Sequence, residues 1–140
     1  MADYTFRADD MRPGELRPLA EVMILLKNLI GNDSTLYELD LAVTEACANV
    51  ARHAYDKGEA CPVEVRVRVH QGVEVEVLVT DWGRGIPEQH MQAGLPEDDA
   101  ESGRGIPLMT DLCDRVSFHK QGDRNTVTLL KRVPARHWRE

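Results

Sequence analysis

Cysteine and long apolar runs are both scarce in this chain of 140 residues. The cysteines are odd in number, widely spaced and without a CxxC pair: Cys47, Cys61 and Cys113. This pattern argues against a disulfide framework or a zinc site and favours a reducing compartment. No apolar run approaches membrane-spanning length, and the opening MADYTFRADD is too polar and acidic for a signal peptide. We therefore expect a cytoplasmic protein with no membrane partner.

Positive charge is also in deficit. The chain carries 17 lysines and arginines against 24 acidic residues, which gives a formal net charge of -7. Sequence-independent binding to nucleic acid needs clustered basic side chains, so we expect no nucleic-acid partner. The hydrophobic fraction of 42% suits a globular protein, and the length predicts a single domain over residues 1–140.

The segment Thr35–Asp56 predicts a long central helix. Apolar residues recur every three or four positions on one face: Leu39, Val43, Ala46, Val50 and Ala54. A polar series has the same spacing on another face: Glu45, Asn49, Arg52 and Asp56. Glu45 and Asn49 should lie one turn apart, clear of the apolar face, so that both can reach one ligand. Thr35 and Glu38 match a capping box that starts the helix. Taken alone, the polar stripe is more typical of a solvated helix face.

The other elements alternate between helical and strand periodicity. In chain order they are a strand at 4–7, a helix at 13–30 capped by Gly31, a valine hairpin at 63–69 and 73–79, a mobile loop at 88–102, a short helix at 106–114, and a second hairpin at 115–120 and 125–133. The tail at 134–140 is expected to be loose, although its Trp138 can dock on the rest of the chain. Helices on one face of a mostly antiparallel sheet predict an α+β two-layer sandwich. Arginines and glutamates should pair across strands on the open face.

Candidates exist for each part of a nucleotide site. Phosphates bind backbone N–H groups at a glycine turn or a helix N-terminus, and Gly103-Arg104-Gly105 directly precedes the short helix. Alone, such a GxG is a weak signal. Asn49 can give Mg²⁺ one oxygen ligand, and Glu45 is placed to orient or deprotonate an attacking group. Asp81, before two glycines at the end of a buried strand, can accept a hydrogen bond from an adenine amine.

Four ordered motifs carry a resemblance to a known family. They are EACANVARHAY at 45–55, DWGRGIP at 81–87, GRGIPLM at 103–109 and NTVT at 125–128. With them the chain resembles the GHKL ATPase superfamily, and within it the anti-sigma-factor serine/threonine kinases of bacterial partner-switching systems. The likeness runs from about residue 16 to residue 133, in the family's order. The resemblance implies the GHKL (Bergerat-type) ATP-binding fold over the whole chain.

The resemblance also implies a role for each matching position. Glu45 would be the general base that activates a partner's hydroxyl, and Asn49 would coordinate Mg²⁺. The remaining positions would hold ATP: Asp81 at the adenine amine with Gly83 and Gly85 beside the base, Gly103, Arg104 and Gly105 at the phosphates, and Thr126 supporting Asp81 or a water. Residues 88–102 would form the lid over ATP. Trp82 can pack under the base, whereas His53 and Tyr55 are expected to pack at the helix end.

The implied function is an ATP- and Mg²⁺-dependent serine/threonine protein kinase of anti-sigma type. It would phosphorylate a small antagonist protein and hold a sigma factor or another output protein on a separate surface. Such kinases are often homodimers. Two alternatives stay open: a non-catalytic binding module of the same fold, which would need neither Glu45 nor Asn49, and an ATPase that has no protein acceptor.

Overall fold

The computed structural model describes residues 1–10, 17–55, 58–84 and 105–140. Its strands are β1 (Ala2–Ala8), β2 (Val63–His70), β3 (Glu74–Asp81), β4 (Arg115–Gln121) and β5 (Arg124–Arg132). Its helices are α1 (Arg17–Leu29), α2 (Asp33–Asn49) and α3 (Gly105–Leu112), with a π-helical turn at Val50–Ala54 and a 3-10 turn at Ala135–His137. Several predicted features lie outside the described residues: 13–16 of the first helix, Asp56, Gly85, the loop at 88–102, Gly103 and Arg104.

One five-stranded antiparallel sheet organises the chain, in the order β1-β2-β3-β5-β4. Side chains alternate along each strand, and the fully buried series on the inner face of the central hairpin is Val65, Val67, Val75, Val77 and Val79. The apolar faces of the helices complete the same core, which includes Leu26, Leu39 and Val43. The predicted α+β class with an antiparallel sheet is therefore confirmed. Val73 is an exception, because it belongs to the turn before β3 and is 46% exposed.

The open face of the sheet carries paired charges, as the alternation predicts. Asp3 on β1 lies 3.2 Å from Arg66 and 3.4 Å from Arg68, both on β2. Arg68 also reaches Glu76 on β3 at 3.4 Å. These pairs are partly exposed, so each contributes at most about 1 kcal/mol to stability. This face of the sheet is therefore polar, and the opposite face, which carries the valines, is the buried one.

The start of α2 differs from the predicted capping box. Asn32 is the N-cap, and its side-chain oxygen accepts a hydrogen bond from the Thr35 N–H at 2.9 Å. Thr35 is therefore already helical, and its hydroxyl lies 3.0 Å from Nδ1 of His137. Glu38 is drawn to Lys131, at 2.5 Å, rather than back to the helix N-terminus. Asn, Ser and Thr are similarly favourable N-cap residues. Here Thr35 and Glu38 contact His137 and Lys131 instead, and Asn32 caps the helix.

The C-terminal tail was expected to be loose, and that expectation is wrong. Trp138 is buried, pairs with Ile30 in a β-bridge and donates its ring N–H to the Val133 carbonyl at 3.0 Å. The Gly31 N–H donates to the His137 carbonyl at 2.8 Å, so Gly31 pairs with the tail and does not adopt the left-handed cap conformation. The predicted docking of Trp138 is confirmed, and it orders the residues around it.

Candidate functional site

Two oxygen-bearing side chains of the central helix meet at one guanidinium group. Arg52 Nη2 donates to Glu45 Oε2 at 3.0 Å and to Asn49 Oδ1 at 2.9 Å. The stripe spacing places these side chains on one side of the helix. The structure therefore brings Glu45 and Asn49 together as the sequence predicts. It adds a cation from the chain itself, because Arg52 of the same polar stripe bonds both side chains.

Asn49 is more enclosed than its stripe suggests. It is 3% exposed, while the side chains of Glu45 and Arg52 are 25% and 37% exposed. The prediction that this stripe stays clear of the buried surface is wrong at Asn49. The reason is that α2 contacts α1, α3, β3 and β5 and is covered over much of its circumference. A buried amide beside a partly exposed carboxylate is an arrangement that few solvated helix faces show.

Asp81 supplies a buried carboxylate at the end of β3. It continues the core-facing series of that strand and is 3% exposed. Its Oδ1 accepts hydrogen bonds from the Gly83 N–H and from Asn125 Nδ2, both at 2.9 Å. Burial raises the pKa of Asp81, and these two hydrogen bonds and nearby Lys120 work in the opposite direction. Both bonds from the described residues end on Oδ1, so within that part of the chain Oδ2 remains available to a donor.

The strand residue beside Asp81 is Asn125, so Thr126 does not contact Asp81, and its predicted contact with a water beside adenine stays a prediction. Asp81 lies opposite Asn125 in the antiparallel register, and Thr80 lies opposite Thr126. The Thr126 hydroxyl is 3.0 Å from the Thr80 hydroxyl on the other face of the sheet. Adjacent residues of a strand point to opposite faces. Val127 is buried, so residues 125 and 127 both face the core. This alternation, which is visible in the sequence, indicates Asn125 as the partner of Asp81.

The Gly83 position packs directly on the end of the central helix. A Cβ at Gly83 would lie 2.0 Å from the Ala54 carbonyl oxygen and 2.6 Å from its carbonyl carbon. The π turn ends at Ala54, so this carbonyl is left without a helical partner, and it accepts from the Arg84 N–H at 2.7 Å. Packing against Ala54 alone accounts for a glycine here, and its approach to a base stays a prediction.

Tyr55 and Trp82 complete the contact between helix and turn. The Tyr55 hydroxyl accepts from the Trp82 N–H at 2.9 Å and donates to the Pro62 carbonyl at 2.8 Å, which fits the expectation that Tyr55 packs at the helix end. The Trp82 ring lies under the Arg7 guanidinium, 5.7 Å from the ring centroid. Arg7 lies opposite Glu64 in the register of β1 and β2. Trp82 therefore stacks with a β1 side chain, and its packing under a base stays a prediction.

A cavity of about 270 Å³ opens beside this turn. Its lining consists of Ala54, Tyr55, Glu59, Trp82, Gly83 and Arg84. The lining includes the predicted site residue Gly83 but not Glu45, Asn49 or Asp81, so the cavity borders the predicted site.

The glycine turn predicted to hold phosphates leads into α3. This helix begins at Gly105 and packs against α2, while the preceding Gly103 and Arg104 lie outside the described residues. Lys131 ties its far end to α2, because Nζ donates to the Leu112 carbonyl at 2.6 Å and also to Glu38. The N-terminus of α3 is therefore held relative to the helix that carries Glu45 and Asn49.

The cysteines contribute no reactive group. Cys47, Cys61 and Cys113 are all free and buried. Burial raises the pKa of Cys47 to about 12 and that of Cys113 to about 11, so these two thiols stay protonated at neutral pH. Buried, protonated thiols of this kind are unreactive.

The donor set suits a magnesium ion that arrives with phosphates better than a metal held by protein alone. In the part of the chain that the structure describes, no group of three or more His, Cys, Asp or Glu side chains could hold a metal ion. An amide oxygen is nevertheless a ligand that Mg²⁺ accepts, and this ion keeps several waters. Asn49 Oδ1 already bonds a cationic group. The residues present therefore fit a single protein ligand, with phosphates and water completing the shell.

Comparison with known proteins gives one family. The sequence model described as a histidine kinase-like ATPase domain matches residues 11–131. A curated relative named serine-protein kinase RsbW, from Bacillus licheniformis, is 36% identical over 87 residues, which are 56% of this chain and 54% of the relative. A protein named anti-sigma F factor, from Priestia megaterium, is 28% identical over 102 residues, 69% of each chain. The chain spans about half the length of the first of these relatives.

Solved structures show the same fold. The RsbU and RsbW domains of a Mycobacterium tuberculosis protein superpose with a TM-score of 0.61 at 16% identity, covering 94% of this chain and 34% of the other. A histidine kinase domain from Erythrobacter litoralis superposes with a TM-score of 0.52 at 24% identity, covering 69% of this chain and 44% of the other.

Among the described residues, no helix is long and apolar enough to cross a membrane.

Proposed function

Because the chain belongs to the histidine kinase-like ATPase domain family, we propose that it is an ATP-dependent serine/threonine protein kinase of the partner-switching type. Its substrate would be a hydroxyl group on a small antagonist protein, and its second partner a sigma factor or another output regulator. The names of the relatives, serine-protein kinase and anti-sigma F factor, support both parts.

The observation that carries the proposal is the convergence of two side chains on one cation. Glu45 Oε2 and Asn49 Oδ1 both lie within 3.0 Å of the same nitrogen, Arg52 Nη2. A carboxylate and an amide oxygen that share a cation suit both a metal ligand and a base next to it. A module that only binds a partner needs neither group, which favours the kinase over the binder.

Nucleotide recognition would depend on Asp81. Its Oδ1 is held by the Gly83 N–H and Asn125, which fixes the orientation of the carboxylate. We assign Oδ2 to the exocyclic amine of adenine. Gly83, Gly85 and the turn at Gly103–Gly105 would let backbone N–H groups approach the base and the phosphates. Guanine carries a carbonyl where adenine has its amine, so GTP should be rejected.

The transfer step needs positioning and one proton acceptor. The antagonist's hydroxyl oxygen would attack the γ-phosphorus of ATP, and the bond from that phosphorus to the β,γ-bridging oxygen would break, leaving ADP. Glu45 would take the hydroxyl proton. Asn49 would hold Mg²⁺, which neutralises phosphate charge when bound. The carboxylate of Glu45 is partly exposed, which allows a protein substrate to reach it from solvent.

Nucleotide binding is the first test. Calorimetry with a non-hydrolysable ATP analogue and Mg²⁺ should show binding, and the GTP analogue should not compete. Asp81→Asn should weaken the affinity by about a hundredfold, because the amine of adenine would face an amide N–H in place of an oxygen. The matched control is Asp123→Asn in the exposed β4–β5 turn. If the two variants bind the ATP analogue with equal affinity, the role of Asp81 is contradicted.

Phosphoryl transfer is the second test. The purified chain is incubated with γ-labelled ATP and a candidate antagonist protein, and label on the antagonist is counted. Glu45→Gln should slow transfer by about 10²–10⁴-fold, whereas Glu21→Gln on the exposed surface of α1 should not. Tight antagonist binding without transfer would favour the binding module. Phosphate release that does not depend on an acceptor would favour the simple ATPase.

The proposal extends to location and assembly. A cytoplasmic site of action follows from the family's partners, and a homodimer is the assembly to test by analytical ultracentrifugation.

A further inference from the structure

Arg52 occupies the two atoms that the proposed chemistry needs. One of its nitrogens, Nη2, is 2.9 Å from Asn49 Oδ1 and 3.0 Å from Glu45 Oε2. Asn49 Oδ1 is the atom assigned to Mg²⁺, and Glu45 is the assigned base. The guanidinium therefore sits where a bound divalent ion would place its charge.

Arg52 and a metal ion cannot share Asn49 Oδ1 without a cost. An amide oxygen has two lone pairs, but the second donor here would be a monovalent cation only a few ångströms from a divalent one. Like charges at that separation repel strongly where water is partly excluded, and Asn49 is 3% exposed. Arg52 is able to leave, because its side chain is 37% exposed and lies at the surface of the helix.

We propose that Arg52 is the built-in cation of this site: it holds Glu45 and Asn49 together when no metal is bound, and the divalent ion displaces it from Asn49 Oδ1. This inference rests on the proposed function. While Arg52 stays in place, Glu45 Oε2 is engaged by the guanidinium and is not free to contact a substrate hydroxyl. Metal binding would free both side chains in one event, so the base becomes active only when the metal is loaded.

The same arrangement predicts how nucleotide binds without metal. Arg52 retains its positive charge, which partly substitutes for Mg²⁺ beside the triphosphate. The wild-type chain should therefore bind ATP measurably in the presence of a chelator. Removing the charge should weaken that residual binding about tenfold and affect the metal-loaded form much less. Arg52 and Mg²⁺ are then alternatives, and their effects on nucleotide affinity are not additive.

The experiment is a two-by-two comparison of nucleotide dissociation constants. Wild type and Arg52→Gln are titrated with a non-hydrolysable ATP analogue, once with excess Mg²⁺ and once with a chelator. The ratio of the constant without metal to that with metal should be about tenfold larger in Arg52→Gln, since one charge-assisted contact is lost only in the metal-free state. Arg52→Lys should fall between the two. Arg136→Gln, an exposed arginine in the tail, is the charge-matched control and should match wild type.

Each outcome has a distinct meaning. A larger ratio in Arg52→Gln with an unchanged ratio in Arg136→Gln supports the inference. Equal ratios in wild type and Arg52→Gln overturn it and leave the proposed function standing. If wild type binds no nucleotide under either condition, the proposed function fails and the inference fails with it. Circular dichroism of each variant excludes unfolding as the cause, and Arg52→Lys serves where Arg52→Gln does not fold.

Discussion

Replacing Gly83 with alanine tests the contact that joins the turn after β3 to the end of the central helix. The added Cβ would lie 2.0 Å from the Ala54 carbonyl oxygen and 2.6 Å from its carbonyl carbon. Both atoms belong to the backbone, so no side-chain rotation relieves the clash. Restoring a normal contact distance requires the turn and the helix end to separate by about 1 Å.

The expected cost has two parts. Overpacking of this kind costs about 1–3 kcal/mol. Separation also stretches the hydrogen bond from the Arg84 N–H to the Ala54 carbonyl, now 2.7 Å long, which adds about 1 kcal/mol. A loss of about 3 kcal/mol would lower the melting temperature by roughly 10 °C for a chain of this size.

The assay is denaturant unfolding of Gly83→Ala followed by circular dichroism, with Gly31→Ala as the matched control. A Cβ at Gly31 meets only the flexible Arg139 side chain, at 3.4 Å, and Gly31 has an ordinary negative φ. The control should therefore be neutral or slightly stabilising. If Gly83→Ala unfolds within about 0.5 kcal/mol of Gly31→Ala, the packing argument is refuted.

Three further predictions follow from burial. Asp81→Asn should be more stable than wild type at pH 7, because burial raises the pKa of the Asp81 carboxyl above its ordinary value of 3.8 and so penalises the charged form in the folded state. The difference in the free energy of unfolding between the variant and wild type should shrink as the pH falls toward 3.8, which denaturant unfolding at several pH values would measure. A difference that widens would contradict the argument. Ellman's reagent should label none of the three free thiols of the native protein, because all are buried and two of them, Cys47 and Cys113, also have a raised pKa. All three should be labelled after unfolding, and rapid labelling of the native protein would contradict this. Trp138→Ala should cost about 3–5 kcal/mol by denaturant unfolding, and Trp138→Phe only about 1 kcal/mol for the lost ring N–H bond; similar stabilities for Trp138→Ala and wild type would mean that the tail is not docked.

Most of the fold could be predicted because strong periodicity marks each element. Alternating valines gave the central hairpin, and the three-to-four spacing from Leu39 to Ala54 gave the buried face of the helix, all of which is buried. The cap at Asn32 could not be chosen over Thr35, because both residue types cap well and the choice depended on His137 and Lys131 far along the chain. The π turn has no sequence signature of comparable strength.

The site could be predicted at the level of its residue types, and less well in its contacts. Glu45 and Asn49 share a stripe by simple helical geometry, so their proximity followed from spacing. The partner of Asp81 is Asn125, because both belong to the core-facing series of their strands, and this could be predicted only by following the alternation from Val127. The double contact of Arg52 depended on its rotamer, which no spacing rule specifies.

The docked tail has a consequence for the order in which the protein can be completed during synthesis. Leu29 and Gly31 exchange backbone hydrogen bonds with Arg139 and His137, and Ile30 pairs with Trp138, a separation of 108 residues (138 − 30). The junction between α1 and α2 is made early by the ribosome but obtains its partners only after residue 139 has emerged. Nascent chains stalled before that point should expose this junction to proteases, and full-length chains should protect it.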